Sequence, residues 1–228
     1  GRVGVRPTEV AVLKNQAVAF LIVVFTFAAG VSVECGVSSA QDASAFRRIR
    51  TIAGNGQSGE LRKQGRASAI PLSNPFGIQE EADGSLVIAS FDQHAIYRLD
   101  PSYTTLEVIA GTGQAGSGGA VGEPVATQVM LNAPHELQID ASGHIYVADT
   151  MNHRVGMIEA GTGRWRLVAG TGQSGFAGDS GAASLAKLNQ AYSIALDGGR
   201  LLIADLGNHR IRSEEHTELQ SPTSISYA

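Results

Sequence analysis

The chain has 228 residues, 43% of them hydrophobic and 17% charged, which is enough for one sizeable core. Its 17 Lys and Arg against 21 Asp and Glu give a net charge of −4, a balance that disfavours nucleic acid as a partner. The 28 glycines indicate many turns and favour an all-β fold, and the single cysteine, Cys35, excludes an intramolecular disulfide.

The first 40 residues have the layout of a secretory leader. Basic residues precede an apolar run over 17–33, and Ser38-Ser39-Ala40 then supplies small residues at a cleavage site. We therefore predict that residues 1–40 are a signal peptide and that the protein is exported. The alternative is a retained membrane anchor, the one case in which the membrane becomes a partner.

After the leader, Phe46–Ala53 is predicted to be a lone outer strand, and a repeat follows it. Three segments align at spacings of 59 and 56 residues: IASFDQHAI, VADTMNHRV and IADLGNHRI. Each lies among short β-branched runs separated by Gly, Asn and Asp, the pattern of a four-stranded antiparallel meander. A fixed period with four strands per copy predicts the blades of a β-propeller.

The copies predict two complete blades, Pro75–Ala110 and Pro134–Ala169, and a third, Tyr192–Arg212, without its outer strand. About three blades form an incomplete ring, so we expect an arc with an exposed sheet edge. The partial propeller is thus assigned to residues 46–212. Residues 213–228 are predicted to be a non-native or disordered tail, because apolar periodicity stops there and the sequence resembles a translated sequencing adapter.

The repeat units resemble a known family in several motifs. They combine a Leu-Asn-x-Pro strand start, a Tyr-Val-Ala-Asp strand, an Asn-His-Arg turn and AGTGxxG loops, as in LNAP, YVAD, NHR and AGTGQSG of this chain. This pattern is similar to the NHL repeat, in the variety found in exported bacterial proteins and in the NHL region of teneurins. The resemblance implies a β-propeller, usually of six blades, and a periplasmic, extracellular or cell-surface bacterial protein.

Two conspicuous motifs are interpreted as structural. The G-x-G-x-x-G loops at Gly54, Gly111 and Gly170 recur between antiparallel strands, so they lack the strand–helix context that binds a dinucleotide, and no cofactor is predicted. The Asp-x-x-Asn-His-Arg turns place acidic and basic side chains five residues apart. They predict ion pairs across the turn, with Asn152 and Asn208 in the turn conformation: Asp149 with Arg154, and Asp205 with Arg210. The first copy has Ser90 and Ala95 at the two paired positions, a joint loss that agrees with a mutual contact.

Positions that differ among the copies are better candidates for function. At the start of the innermost strand they hold Phe76-Gly77, His135-Glu136 and Tyr192-Ser193. In propellers of this type, ligand sites are usually built from such positions. The ligand-binding candidates are therefore Phe76, His135, Glu136 and Tyr192, while no catalytic residue and no metal site is assigned.

We expect the chain to act as an exported, noncatalytic module that binds protein or carbohydrate ligands, and the fragment by itself to lack function. The alternative is enzymatic, because some NHL-like propellers resemble this architecture and are metal-dependent lyases or sugar-lactone hydrolases with central-channel sites. His135 is the residue that would serve as a metal ligand in that case.

Overall fold

The computed structural model describes residues 49–215, within which twelve strands form three antiparallel sheets. Five single-turn 3-10 helices accompany them: Ala67–Ala69, Ala126–Gln128, Thr150–Asn152, Ala183–Leu185 and Leu206–Asn208. In this part of the chain, no helix has the length and apolar character needed to cross a membrane. The predicted all-β fold is confirmed.

Each sheet corresponds to one repeat, and we call the sheets blades 1, 2 and 3. Blade 1 has the order β1-β5-β4-β3-β2, blade 2 the order β6-β7-β8-β9, and blade 3 the order β10-β11-β12. The strands of blade 1 are β1 (Gln64–Arg66), β2 (Pro75–Glu80), β3 (Leu86–Ser90), β4 (Ala95–Leu99) and β5 (Thr105–Ala110). Those of blade 2 are β6 (Pro134–Ile139), β7 (Ile145–Asp149), β8 (Arg154–Ile158) and β9 (Trp165–Ala169). Those of blade 3 are β10 (Ala191–Asp197), β11 (Arg200–Asp205) and β12 (Arg210–Glu215).

Turn chemistry sets the hairpins between the first two strands of blades 1 and 2. Gly84 and Gly143 have φ of 88° and 82°, values that an L side chain rarely adopts. An aspartate in each hairpin closes the turn: an Asp83 oxygen accepts the Ser85 N–H at 2.9 Å, and an Asp140 oxygen accepts two backbone N–H groups, those of Ser142 and His144. These local bonds fix the hairpins and therefore the register of the strands.

The hydrophobic core lies largely between neighbouring blades. Apolar residues of blade 1, such as Val87 and Ile96, share one cluster with Leu137, Val147 and Trp165 of blade 2. The innermost strands β2, β6 and β10 are successive neighbours, so the blades are arranged around them. Neighbouring blades thus stabilise one another.

The G-x-G-x-x-G loops connect the outer strand of one blade to the next blade. The N–H groups of Gly54, Gly111 and Gly170, all at φ near 90°, donate to three equivalent carbonyls: those of Ala67, Ala126 and Ala183. This repeated bond holds each crossover against the 3-10 turn that follows it.

Three details differ from the sequence expectation. The sequence does not predict the short strand β1, because its residues Gln-Gly-Arg carry no apolar pattern; it pairs with the edge of β5. Residues 49–53 of the predicted outer strand Phe46–Ala53 are not in a strand, since no neighbouring strand accepts their hydrogen bonds among the described residues. Finally, β12 includes residues 213–215, which lie beyond the boundary predicted at 212. The leader, residues 1–40, and the remaining tail, 216–228, lie outside the described residues.

Candidate functional site

The candidate residues lie at bulges in the innermost strands. Pairing of β2 with β3 shifts between Pro75 and Ile78, that of β6 with β7 between Pro134 and Leu137, and that of β10 with β11 between Ala191 and Ser193. The side chains at these breaks are Phe76, His135, Glu136 and Tyr192. Because a bulge releases a residue from the regular alternation, it can redirect a side chain toward a ligand.

These bulges bring four rings from three blades into one row, which we call the rim row: Phe91, Phe76, His135 and Tyr192. Phe76 lies between Phe91, at 5.2 Å between ring centres, and His135, at 4.3 Å. His135 stacks in turn on Tyr192 at 3.7 Å with the ring planes 33° apart. Phe76 is 48% exposed and Tyr192 37%, so the row presents aromatic surface to solvent.

Gly77 allows the rings of the rim row to come into contact. A Cβ at this position would lie 2.7 Å from the His135 carbonyl oxygen and 3.0 Å from the Leu137 nitrogen. Since both neighbours are backbone atoms of β6, they could not move aside without shifting the strand. The missing side chain therefore allows β2 and β6 to approach and brings Phe76 onto His135.

His135 is the polar member of the row. Both ring nitrogens are buried, and neither has a hydrogen-bond partner among the described residues. Burial lowers the pKa of His135, while the Glu136 carboxylate and the nearby Tyr192 backbone act in the opposite direction. One Glu136 oxygen accepts the Leu137 N–H at 3.1 Å. The row thus contains one imidazole, with the Glu136 carboxylate beside it, and the described chain holds no cluster of three or more His, Cys, Asp or Glu suited to a metal.

The predicted ion pair is present in blade 2. Arg154 Nε donates to Asp149 Oδ2 at 2.7 Å, and both side chains are buried. Asp149 also accepts the Asn132 N–H at 2.7 Å and the Asn152 amide at 2.8 Å. The carboxylate therefore joins the loop before β6 to the turn after β7, which is a structural role.

The corresponding prediction for blade 3 is wrong. Arg212 approaches Asp205, with Nη1 3.5 Å from Oδ2, and also donates to Asp179 at 2.7 Å. Arg210 instead turns outward and lies 4.0 Å from the centre of the Phe176 ring. Sequence spacing cannot distinguish Arg210 from Arg212, because both are on the strand that follows the turn.

The histidines of the Asn-His-Arg turns connect the blades, a role that the sequence did not reveal. His94 Nδ1 accepts the Ala133 N–H of blade 2 at 3.1 Å, and His153 Nδ1 accepts the Gln190 N–H of blade 3 at 3.0 Å. Asn152 and Asn208 lie in 3-10 turns, Thr150–Asn152 and Leu206–Asn208. The left-handed conformation at the end of each turn is adopted by the histidine, since His94, His153 and His209 have φ of 50°, 50° and 55°. The signal available in the sequence was the recurrence of His at blade period.

A second contact between turn and loop also recurs in every blade. The amide groups of Asn152 and Asn208 donate to the carbonyls of Gly116 and Gly175 at 2.6 and 2.7 Å. In blade 1 Gln93 takes this place and donates to the Gly59 carbonyl at 3.0 Å. Each amide therefore secures the last glycine of the G-x-G-x-x-G loop, which gives these loops a structural role.

Comparison with known proteins agrees with this architecture. Residues 131–156 match the NHL repeat. Over 89 residues, 39% of this chain, the sequence is 34% identical to the protein Suppressor of Quenching 1, chloroplastic, of Arabidopsis thaliana. Over 93 residues, or 40%, it is 34% identical to NHL repeat-containing protein 2 of Gallus gallus. The chain spans only 8% and 12% of the lengths of these two relatives.

Solved structures share the fold. The crystal structure of an auxiliary nutrient binding protein from Bacteroides ovatus superposes with a TM-score of 0.50 at 22% identity. The superposition covers 65% of this chain and 39% of that one.

Proposed function

We propose that this NHL-repeat β-propeller protein is an exported, noncatalytic binding module whose ligand surface is the rim row. The observation that carries the proposal is the row itself, in which three blades contribute rings at three bulges and leave Phe76 and Tyr192 partly open. Solvent-exposed aromatic surface of this kind is typical of recognition sites. Export rests on the leader pattern of residues 1–40.

The rim row suits a ligand that offers a flat, weakly polar face. Tyr192 has His135 stacked on one side and no other ring against it among the described residues. Aromatic faces carry partial negative charge, so they attract the polarised C–H groups of a sugar ring as well as protein side chains. The neighbouring Glu136 carboxylate and Ser193 hydroxyl would then supply hydrogen bonds, and we favour carbohydrate over protein for that reason.

The enzymatic alternative lacks a comparable observation. A metal-dependent lyase or a lactone hydrolase requires several converging ligands or a general base close to an electrophilic group. The described part of the rim offers one imidazole, His135, and one carboxylate, Glu136, and the ring nitrogens of His135 are buried between aromatic neighbours. A binding role requires only the exposed aromatic faces of Phe76 and Tyr192, which the row already presents.

Affinity electrophoresis of the full chain through gels that contain soluble polysaccharides would test the proposal. We expect retardation on at least one polysaccharide, and we expect Tyr192→Ala to weaken it by about tenfold or more, because one stacking face is lost. Phe176→Ala is the matched control, since Phe176 is similarly exposed at 45% but lies in a crossover loop away from the row. Equal retardation of the two variants, or none for the parent chain, would refute the proposal.

A further inference from the structure

A cleft between blades 1 and 2 lies at the end of the strands opposite the rim row, and its volume is about 820 Å³. The last residues of β2 and β6 line it, whereas the rim row is built near the starts of the same strands. Both walls are complete four-stranded meanders, β2–β5 and β6–β9, so the cleft belongs to the joint between two neighbouring blades. A cleft of this size accommodates a small molecule.

Isoleucine side chains form the apolar part of the cleft. Ile145 and Ile158 of blade 2 are almost fully buried. Ile109 of blade 1 and Ile139 of blade 2 pack against the same core but are only partly covered. The core between the two blades therefore reaches the surface at this point. Apolar atoms that stay uncovered inside a cleft favour a ligand that removes them from water.

Blade 1 contributes the polar wall of the cleft. Val87 belongs to the core shared with blade 2 and is paired with Gln79 on β2 and with Arg98 on β4. Because directly paired residues point to the same side of a sheet, Gln79 and Arg98 also face blade 2. The Gln79 amide has no hydrogen-bond partner among the described residues, so it can serve a ligand.

The Arg98 side chain is held by an ion pair that blade 2 lacks. In blade 2, Asp140 closes the hairpin between the first two strands, whereas in blade 1 Asp83 closes it. Glu81, at the position of Asp140, is thereby available to Arg98, whose Nε and Nη2 both donate to it, the latter at 2.8 Å. Blade 2 has Met157 at the position of Arg98. The repeat does not require the pair, which makes it a candidate for function.

We propose that this cleft binds a small organic cation with an apolar body. Arg98 is the one cationic side chain in the lining, and Glu81 already balances its charge. The carboxylates in the lining outnumber it: Glu80, Glu81, Asp83, Asp140 and Glu159. An excess of negative charge around an apolar cleft attracts a cation and opposes an anion.

The two walls match the two parts of such a ligand. The apolar body would cover Ile109 and Ile139, while the cationic head would donate to Glu81 and to the Gln79 side-chain oxygen. Both parts contribute to binding, so neither a neutral molecule with the same body nor a metal cation should bind equally well. This site is separate from the rim row and does not depend on the function proposed for it.

Titration of the full chain with three small probes, followed by saturation-transfer NMR, tests the proposal. Benzylammonium, benzyl alcohol and phenylacetate share a benzyl group and differ in charge. We expect benzylammonium to bind with a Kd of about 1 mM and at least about tenfold more tightly than phenylacetate, with benzyl alcohol between them. Equal binding of the cation and the anion, or no binding of the cation, would overturn the proposal.

Two tryptophan variants locate the bound probe. Thr127 and Gln128 are both exposed and belong to the same 3-10 helix, but only Thr127 lines the cleft. Thr127→Trp should fill the cleft and weaken benzylammonium binding about tenfold or more, whereas the matched control Gln128→Trp should leave it unchanged. If the two variants have the same effect, the cation binds elsewhere and the proposal is wrong.

A third variant should increase the affinity, so a folding defect cannot imitate its effect. Arg98→Met introduces the residue of blade 2 at this position and removes the cation that competes for Glu81. We expect it to tighten benzylammonium binding about threefold or more, and weaker binding would contradict the proposal. Binding of trilysine without binding of benzylammonium would assign the cleft to a basic protein segment and would overturn the proposal as well.

Discussion

Blade 2 buries the ion pair Asp149–Arg154, whereas blade 1 buries a hydrogen bond between the neutral side chains of Ser90 and Gln93 in the corresponding turn. Substitutions in the ion pair therefore give a quantitative prediction. Asp149→Ala removes the counter-ion of Arg154, which is only 5% exposed, and leaves the Asn132 N–H without its acceptor. Breaking a buried pair from one side costs about 3–5 kcal/mol. For a folded region of this size, that loss lowers the Tm by roughly 10 °C.

The compensating variant places three residues of blade 1 at the corresponding positions of blade 2. There the Ser90 hydroxyl donates to the Gln93 side-chain oxygen at 2.7 Å, and the third position is Ala95. The triple substitution Asp149→Ser, Asn152→Gln and Arg154→Ala therefore removes both charges and keeps a link to the loop. We expect it to recover at least half of the free energy of unfolding that Asp149→Ala loses, because no buried charge remains unpaired.

Urea unfolding measures both variants, with fluorescence of Trp165 and far-ultraviolet circular dichroism as readouts. Trp165 is the single tryptophan of the chain and is fully buried in blade 2, 5.6 Å from the Arg154 guanidinium, so it reports the altered region. If Asp149→Ala costs less than about 1 kcal/mol, or if the triple variant is no more stable than the single one, the assignment of the pair as a structural clamp is wrong.

Two further predictions concern the contacts between strands and between blades. Burial lowers the pKa values of His94 and His153 below 6.5, so the unfolded chain binds protons more strongly. The free energy of unfolding should thus be highest above pH 6.5 and fall as the pH drops through 6.5 toward the lowered values, and urea midpoints at pH 8 and pH 5 check this. The double variant His94→Asn, His153→Asn keeps a residue that tolerates the left-handed turn and should flatten the dependence; an unchanged slope would contradict the prediction. Gly156→Ala would place a Cβ inside the Trp165 indole, so it should destabilise the protein by about 1–3 kcal/mol and shift Trp165 emission to the red, whereas Gly181→Ala, whose Cβ would meet only the Gly178 carbonyl oxygen at 3.4 Å, should do neither.

The repeat made the strands predictable, and tertiary packing decided what the sequence left open. β-branched runs between turn residues gave the outer limits of blades 1 and 2, Pro75–Ala110 and Pro134–Ala169, as observed, because each blade forms its own local hairpins. The partner of Asp205 depends on which of two arginines faces inward, and that choice is made by the neighbouring Asp179 and Phe176. Local spacing carries no information about either neighbour.

At the candidate site, too, the sequence predicts the positions, whereas tertiary packing decides the contacts. The sequence indicated Phe76, His135 and Tyr192 as the variable positions, but not that they touch one another. Their contact requires the bulges and the absence of a side chain at Gly77, which together determine how closely β2 and β6 approach. Phe91 joins the row from outside the innermost strand, and its aligned positions Thr150 and Leu206 are not aromatic, so the repeat did not mark it.

The distribution of polar contacts explains why the rim row can vary while the blades stay alike. The turn side chains His94, Asn152 and Asp149 bind backbone groups of adjoining loops, which exist whatever side chains those loops carry. The blades therefore remain joined when residues at the bulges change. The hydrogen bonds that join neighbouring blades are made by turn side chains and main-chain atoms. A new ligand surface therefore requires only new side chains at the positions of Phe76, His135 and Tyr192.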